Sequence, residues 1–424
     1  MNSNFRRRIL SAVAILVLAA LGWWIFRPVP APPAAKPAPA AHDTLAAAPD
    51  WPSLNTYQET ITRADFERLL TTVFTAGNGW QTAIEFDDRE ARIQTGDTTA
   101  PVFHLRFAPP EKISVAPHSW RSAADLPAAP PDQPLSGLKI AIDPGHIGGE
   151  WAKIEERWFV IGSEKPVCEG DMTLHVAQLL KPRLEALGAT VSLVRDKAEP
   201  VTAIRPTSLL TLAQESSPQE KSPATLQKLA DRLFYRTAEI HARAEIVNQT
   251  LKPDLVLCLH FNAEAWGDPN APTLIDRSHL HLLLNGAYTD DELQLADQRF
   301  ALLHKLLQRT HEEEVRVGSS VAATFAQISG LPPYTYHADS KKVRPVAHIP
   351  YLWVRNLLAN RLYDCPVIFM EPYVMNSTID YARIQAGDYD GLRDIAGKPR
   401  PSIFREYADA LAAGLANHYA AARK

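Results

Sequence analysis

The sequence predicts an α/β fold: a central mixed, largely parallel sheet with helices on both faces, preceded by an N-terminal membrane anchor and a small α+β domain. Three observations predict it. From Leu138 onward, short apolar runs alternate with amphipathic ones. One long apolar segment and two proline-rich stretches partition the chain before that point. Hydrophobic residues make up 46% of the 424, enough for ordinary globular cores.

Residues 1–27 read as a membrane anchor or signal sequence. Arg6, Arg7 and Arg8 precede an apolar run from Ile9 to Phe26, interrupted only by Ser11 and Gly22. As a helix the run would span roughly 27 Å, close to a bilayer's hydrocarbon core. Trp23 and Trp24 suit an interface, and the excess of arginine before the run keeps the N-terminus inside and sends the rest outside. Arg27-Pro28 follows with no small-x-small site, which favours an uncleaved anchor over a cleaved signal.

Residues 28–50, rich in Ala and Pro, read as a stiff, extended linker. Residues 51–108 look like a small α+β domain. Phe66, Leu69, Leu70 and Val73 give Arg63 to Phe74 helical spacing, and strand-like runs lie near Thr82 to Phe86 and Val102 to Phe107. No chemistry is legible there. Residues 109–136 form a second Pro-rich linker, and residues 137–424 the main domain.

In the main domain, Leu138 to Ile142 is a strand candidate. Asp171 to Leu187 is an amphipathic helix with Val176, Ala177, Leu180, Leu184 and Leu187 on one face, ended by Gly188. Thr190 to Val194 reads as a strand and Leu233 to Leu251 as a helix. Asp254 to Phe261 is apolar on both faces, as a central strand is, and Pro366 to Met370 is a second buried strand. Phe404 to Tyr419 closes the chain as a helix. Two stretches stand outside this pattern. Lys197 to Leu229 is polar and loop-like. Ala263 to His348 is long, and part of Asp268 to Arg344 is expected to lie near the site described next and shape substrate entry.

Composition excludes several functions. The net charge of −4, with no basic block longer than Arg6 to Arg8, argues against nucleic acid. No GxxxxGK[ST] or GxSxG occurs, and GHIGG lacks the dinucleotide fingerprint. Cys168, Cys258 and Cys365 cannot all pair internally, contain no CxxC and read as small buried residues.

The chemistry gathers at strand ends, where open α/β sheets place functional groups. The first strand runs into Asp143-Pro144-Gly145-His146, the central one into His260-Phe261-Asn262, and the later one into Glu371-Pro372-Tyr373. Glu169 opens the helix beginning at Asp171. Two histidines and a carboxylate with an open fourth position are a known ligand set for catalytic zinc. A further carboxylate, free of the metal, can serve as general base. The count fits His146, Glu169 and His260 as ligands and Glu371 as base. Singly, each is as readily a satisfied polar residue; their ordered recurrence carries the reading.

From Leu138 to the C-terminus, the ordered set resembles the zinc-dependent N-acetylmuramoyl-L-alanine amidases of the family-3 type. The motifs are IAIDPGH, EGDMTL, VSLVRD, RAEIVN (Arg243 to Asn248), HFNA, and Glu371 with Tyr373 and Asn376 after it, closed by YADALAAGLANHY. The resemblance implies Zn2+ on His146, Glu169 and His260, and Glu371 as the catalytic glutamate. It also implies hydrolysis of the amide between N-acetylmuramic acid and L-alanine of peptidoglycan, hence a cell-envelope location with the catalytic domain extracytoplasmic, in the periplasm, anchored or secreted. The gap from His146 to Glu169 is longer than in the family, so Glu150, Glu155, Glu156 and Glu164 compete for the second ligand position. The expected partners are peptidoglycan and, through the anchor, the membrane; no motif identifies a protein activator. The rival readings are a zinc peptidase acting on a different cell-wall amide, a non-catalytic peptidoglycan-binding relative, and a membrane-tethered scaffold acting through Trp51 to Phe107.

Overall fold

The computed structural model describes Leu45 and residues 48–97, 99–337 and 339–423. The anchor or signal segment and nearly all of the first linker lie outside the described residues. Among the described residues, no helix is long and apolar enough to cross a membrane.

The first described elements are the helix α1 (Arg63–Leu69), extended by a π turn at Leu70–Phe74, and strands β1 (Ile84–Phe86), β2 (Glu90–Gln94) and β3 (Val102–Arg106). Thr62 caps α1 by accepting from the Asp65 N–H at 3.1 Å. The three strands form an antiparallel meander. The middle one, β2, is missed by pattern reading: its apolar positions are only Ala91 and Ile93, too few for an alternation signal.

Residues 109–136 contain almost no regular structure, as a proline-rich stretch dictates, yet they are held down. Trp120, Leu126 and Leu135 are buried, and the Arg121 guanidinium meets the Asp254 carboxylate at 2.7 Å.

The main sheet has seven strands. In chain order they are β4 (Lys139–Pro144), β7 (Thr190–Leu193), β8 (Leu255–Leu259), β9 (Leu280–Leu284), β10 (Arg344–Pro345), β11 (Leu352–Val354) and β12 (Val367–Pro372). The short strands β5 (Trp158–Phe159) and β6 (Val167–Cys168) pair with each other beside it. Across the sheet the order is β10-β11-β9-β12-β8-β4-β7. Strands β7, β4, β8 and β12 are mutually parallel, β9 and β11 run the opposite way, and β10 is antiparallel to β11. The sheet is therefore mixed and mostly parallel.

Both faces are covered, which is why β8 and β9 are buried at every position. Leu255, Leu257 and Leu259 face one core, with Val176, Leu180 and Leu184 of α2 (Glu169–Ala186) and with the helices α7 (Thr310–Ser329) and α8 (Ile403–Ala422). Val256 and Cys258 face the other, with Ala244 and Val247. Those two belong to a long helix that begins at Pro223, ten residues before the periodic stretch that predicts it. It comprises α4 (Pro223–Leu233), a π turn, α5 (Glu239–Glu245) and a second π turn ending at Leu251. The polar stretch 197–229 also holds α3 (Leu210–Ser216), whose Leu212 and Ala213 are buried. It is thus not all loop, although few apolar residues mark its helices.

The long stretch after His260 builds the sheet. It supplies β9 and β10 and the helices α6 (Ala296–Gln308) and α7. It also receives the small α+β unit: the Ala76 N–H donates to the Tyr288 carbonyl at 2.8 Å, Gly79 N–H to the Asp290 carboxylate at 2.7 Å, and Arg344 to the Thr71 carbonyl at 2.6 Å. One hydrophobic core runs from Phe66 and Phe74 through to Leu282 and Leu306. The three cysteines are free, with Cys258 and Cys365 buried.

Candidate metal centre

The parallel strands deliver the site. β4 ends in a turn whose His146 has a φ of +59°, left-handed backbone that a non-glycine residue adopts only when held. Arg243 holds it from below. Its guanidinium donates to Asp143 Oδ1 at 2.9 Å, to the Pro144 carbonyl at 2.8 Å and to the His146 carbonyl at 2.7 Å, while Glu239 takes its Nε at 2.8 Å. The second Asp143 oxygen accepts from the Tyr363 hydroxyl at 2.5 Å. Arg195 ties the same turn to the start of α2, donating to the Pro144 carbonyl at 3.2 Å and the Gly170 carbonyl at 2.6 Å. Thr173 adds a 2.6 Å bond to the Gly145 carbonyl. Gly145 itself leaves room for the neighbouring imidazole: a Cβ there would sit 2.3 Å from His260 Cε1.

Glu169 is the first residue of α2, where the exposed N–H groups favour a carboxylate. It is 2% exposed. Its Oε1 lies 3.1 Å from His260 Nδ1 and accepts from the Phe261 N–H at 3.1 Å; its Oε2 lies 3.2 Å from His146 Nε2 and 3.3 Å from Arg157 Nε. His260 follows β8, stacks on Phe369 with ring centroids 4.2 Å apart, and has its carbonyl bonded by the Tyr407 hydroxyl at 3.2 Å. Glu371, near the end of β12, lines the same cavity of about 380 Å³ as His146, Glu169, His260 and Arg157.

Three of these groups suit a metal. Donor atoms of His146, Glu169 and His260 all lie within 4.8 Å of one another. Tetrahedral zinc with bonds near 2.0–2.1 Å needs donors about 3.3 Å apart. The imidazole-to-carboxylate contacts, 3.1 and 3.2 Å, are close to that spacing, each to a different oxygen of Glu169. Two imidazoles and one carboxylate are the donor chemistry zinc takes at open sites.

Electrostatics agree. Burial works against a charge on His146, but the Glu169 and Glu155 carboxylates outweigh it and push the imidazole up to about 9. His146 and His260 in turn hold Glu169 well below the usual carboxylate range, against its burial. Burial, and then the charge of Glu169, push Glu371 up to about 8. The carboxylates thus favour positive charge at His146, whereas burial holds His260 below its ordinary value.

The glutamates that competed for the second ligand position lie elsewhere. Glu150 is exposed on a 3-10 turn. Glu156 is exposed and 3.8 Å from Arg232. Glu164 accepts from the Tyr381 hydroxyl. Glu155 is buried, but beside the far nitrogen of His146, 3.5 Å from Nδ1. The other motif residues are scaffold. Asn248 bridges to the Leu362 carbonyl and the Asp364 N–H. Asn376 receives the Glu264 N–H at 3.0 Å and donates to the Thr273 carbonyl, pinning the segment that walls the cavity.

Arg157 was not found by sequence reasoning, and Thr173 and Tyr407, though inside EGDMTL and YADALAAGLANHY, were given no role. None sits at a strand end beside a chemical group, and only the folded chain brings them to the site. Of the long stretch 263–348, Ala263 to Gly267 wall the cavity, and Pro269 and Asn270 line an adjoining cleft. Thr273 and Arg277 hold that wall from behind, and much of the remainder builds the sheet and the seat of the small unit.

No family model and no curated protein matches the chain. Among solved structures, it is similar to the apo N-acetylmuramyl-L-alanine amidase Ami1 of Mycobacterium abscessus, at 16% identity over 67% of this chain and 99% of that one, with a TM-score of 0.37. It is similar to Ami1 of Mycobacterium smegmatis at 16% identity, over 68% and 99% of the two chains, with a TM-score of 0.37. It is also similar to the CwlD amidase of Clostridioides difficile, solved in complex with the GerS lipoprotein, at 12% identity over 66% and 98%, with a TM-score of 0.36. At this distance the likenesses assign no chemistry; the site's own residues must do so.

Proposed function

We propose that the chain is a zinc-dependent amidase that hydrolyses the bond between N-acetylmuramic acid and L-alanine in peptidoglycan. The observation that carries the reading is the meeting of His146, Glu169, His260 and Glu371 in one cavity, each from the motif that resembles the family-3 amidases. His146 and His260 would hold zinc through nitrogen and Glu169 through oxygen. The bound ion would polarise the scissile carbonyl and lower the pKa of water to about 7. Glu371 has a separate task. It accepts the proton of the attacking water and returns a proton to the departing L-alanine amine. Burial and the charge of Glu169 push its carboxyl up to about 8, and a bound cation would oppose that shift and favour the base form. Arg243, Arg195 and Thr173 keep the His146 turn and the start of α2 in register, so the donors stay at coordinating distance. The substrate places the domain outside the cytoplasm, in keeping with an anchor or signal at residues 1–27.

The test is a digest of purified peptidoglycan with end analysis by mass spectrometry. The expected products are intact stem peptides with a free L-alanine amine and muramic acid with a free lactyl carboxyl. A chelator should abolish them and zinc restore them. Cleavage inside the stem peptide would make the protein a peptidase. Wall binding without any cleavage by the zinc-loaded protein would make it a binding relative.

A further inference from the structure

Glu155 has no role in that chemistry, yet it is built into the site. It lies in the lengthened loop between His146 and Glu169 and is 3% exposed. The loop is fixed: the Glu155 N–H bonds the Trp151 carbonyl at 3.0 Å, and Trp151 packs on Phe234 with ring centroids 5.1 Å apart. Its carboxylate accepts from the Ile147 N–H at 3.0 and 2.9 Å and from the Gly148 N–H at 3.1 Å. Oε1 also lies 3.5 Å from His146 Nδ1, while the opposite nitrogen, Nε2, faces Glu169.

We propose that Glu155 is a positioning residue whose carboxylate keeps the His146 proton on Nδ1 and so presents Nε2 as the metal-binding nitrogen. A neutral imidazole carries one N–H and one lone pair, and a carboxylate can only accept. Carboxylates face both nitrogens, Glu155 on the Nδ1 side and Glu169 on the Nε2 side; once the Nε2 lone pair goes to a metal shared with Glu169 and His260, the one N–H left is on Nδ1, and Glu155 is placed to accept it. The same carboxylate anchors the two N–H groups after His146, so it fixes the left-handed turn and the ring's tautomer together. Partners of this kind typically contribute 10–100-fold in metal affinity. The inference rests on the zinc reading above.

The test measures zinc affinity by chelator competition on the full chain, without peptidoglycan, so it stands apart from whether the protein is an amidase. Glu155→Gln keeps the shape but offers an amide. If its NH2 faces Nδ1, the imidazole proton moves to Nε2; if it turns away, it meets the Ile147 and Gly148 N–H groups donor to donor. Zinc affinity should fall about 10–100-fold while the metal-free protein melts normally. Glu155→Asp, which keeps the charge, should recover part of the loss. Nitrogen-15 NMR of the zinc-loaded wild type should show the His146 proton on Nδ1, a reading that needs no variant to fold. A folded Glu155→Gln that binds zinc within about twofold of wild type, an Asp variant no better than Gln, or a proton on Nε2 would each overturn the proposal and leave Glu155 as a support of the turn alone.

Discussion

The main sheet contains two blocks that run in opposite directions, and only one gathers the candidate metal centre at its strand ends. In β7, β4, β8 and β12 all strands point one way, and the ends of β4, β8 and β12 bring His146, His260 and Glu371 to one cavity. The reversed strands β9 and β11 point away from it. They and the helices α6 and α7 form the surface on which the small α+β unit sits. The blocks meet beside the site, where His281 at the start of β9 pairs across the sheet with Glu371. The same apolar composition therefore does two jobs. Parallel strands collect polar groups at their carboxyl ends, whereas the reversed pair widens the core and holds a neighbour.

The contrast is sharpest when each block is damaged. Replacing His146, Glu169 or His260 with Ala should abolish zinc retention and peptidoglycan turnover together, with little change in melting of the metal-free protein. Leu282→Ala, in β9 and fully buried, should do the reverse. It should cost about 2–5 kcal/mol of stability while the folded fraction keeps its zinc. Elemental analysis beside thermal melting reads both. A Leu282→Ala protein that folds normally and loses zinc would mean that the two blocks are not separable.

The same contrast explains what the sequence disclosed. Strand ends such as IAIDPGH and LHFNA juxtapose an apolar run and a chemical group, so both the element and its role are legible. The Leu280–Leu284 strand is as apolar, but its direction depends on a partner remote in sequence, and HLHLLL does not encode that. Glu155 was legible only as a competing ligand, because spacing does not say which side of an imidazole a carboxylate approaches. Arg243 and Asn248 stood out as a motif, though their hydrogen bonds to the His146 turn and to Leu362 exist only once helix and sheet are packed.

A smaller effect is expected with pH, away from the site. Glu314, on α7 behind the sheet, is fully buried and is pushed up to about 7, chiefly by burial and despite Lys305. Its Oε1 accepts from the Val367 N–H at 3.1 Å. The folded state therefore keeps a proton that the unfolded chain loses near pH 4.5. The stability this proton brings is full below about pH 4.5, falls as pH rises towards about 7, and is gone above that. The shift bounds the loss at roughly 3 kcal/mol. Glu314→Gln should flatten this part of the stability–pH curve, read by denaturant unfolding between pH 4.5 and 8, and leave zinc content unchanged. An unaltered slope would remove Glu314 from the titration.

In the proposed mechanism His146, Glu169 and His260 hold the metal and Glu371 transfers protons, and Glu371→Gln divides those roles most directly. The substitution keeps size and loses the base. The paired measurement is zinc per protein by elemental analysis and stem-peptide release from purified peptidoglycan. The account predicts a folded protein with its zinc intact and turnover reduced by about 10²–10⁴-fold. Loss of zinc would make Glu371 a ligand, and retained zinc with near-full turnover would remove it from catalysis; either result would contradict the account.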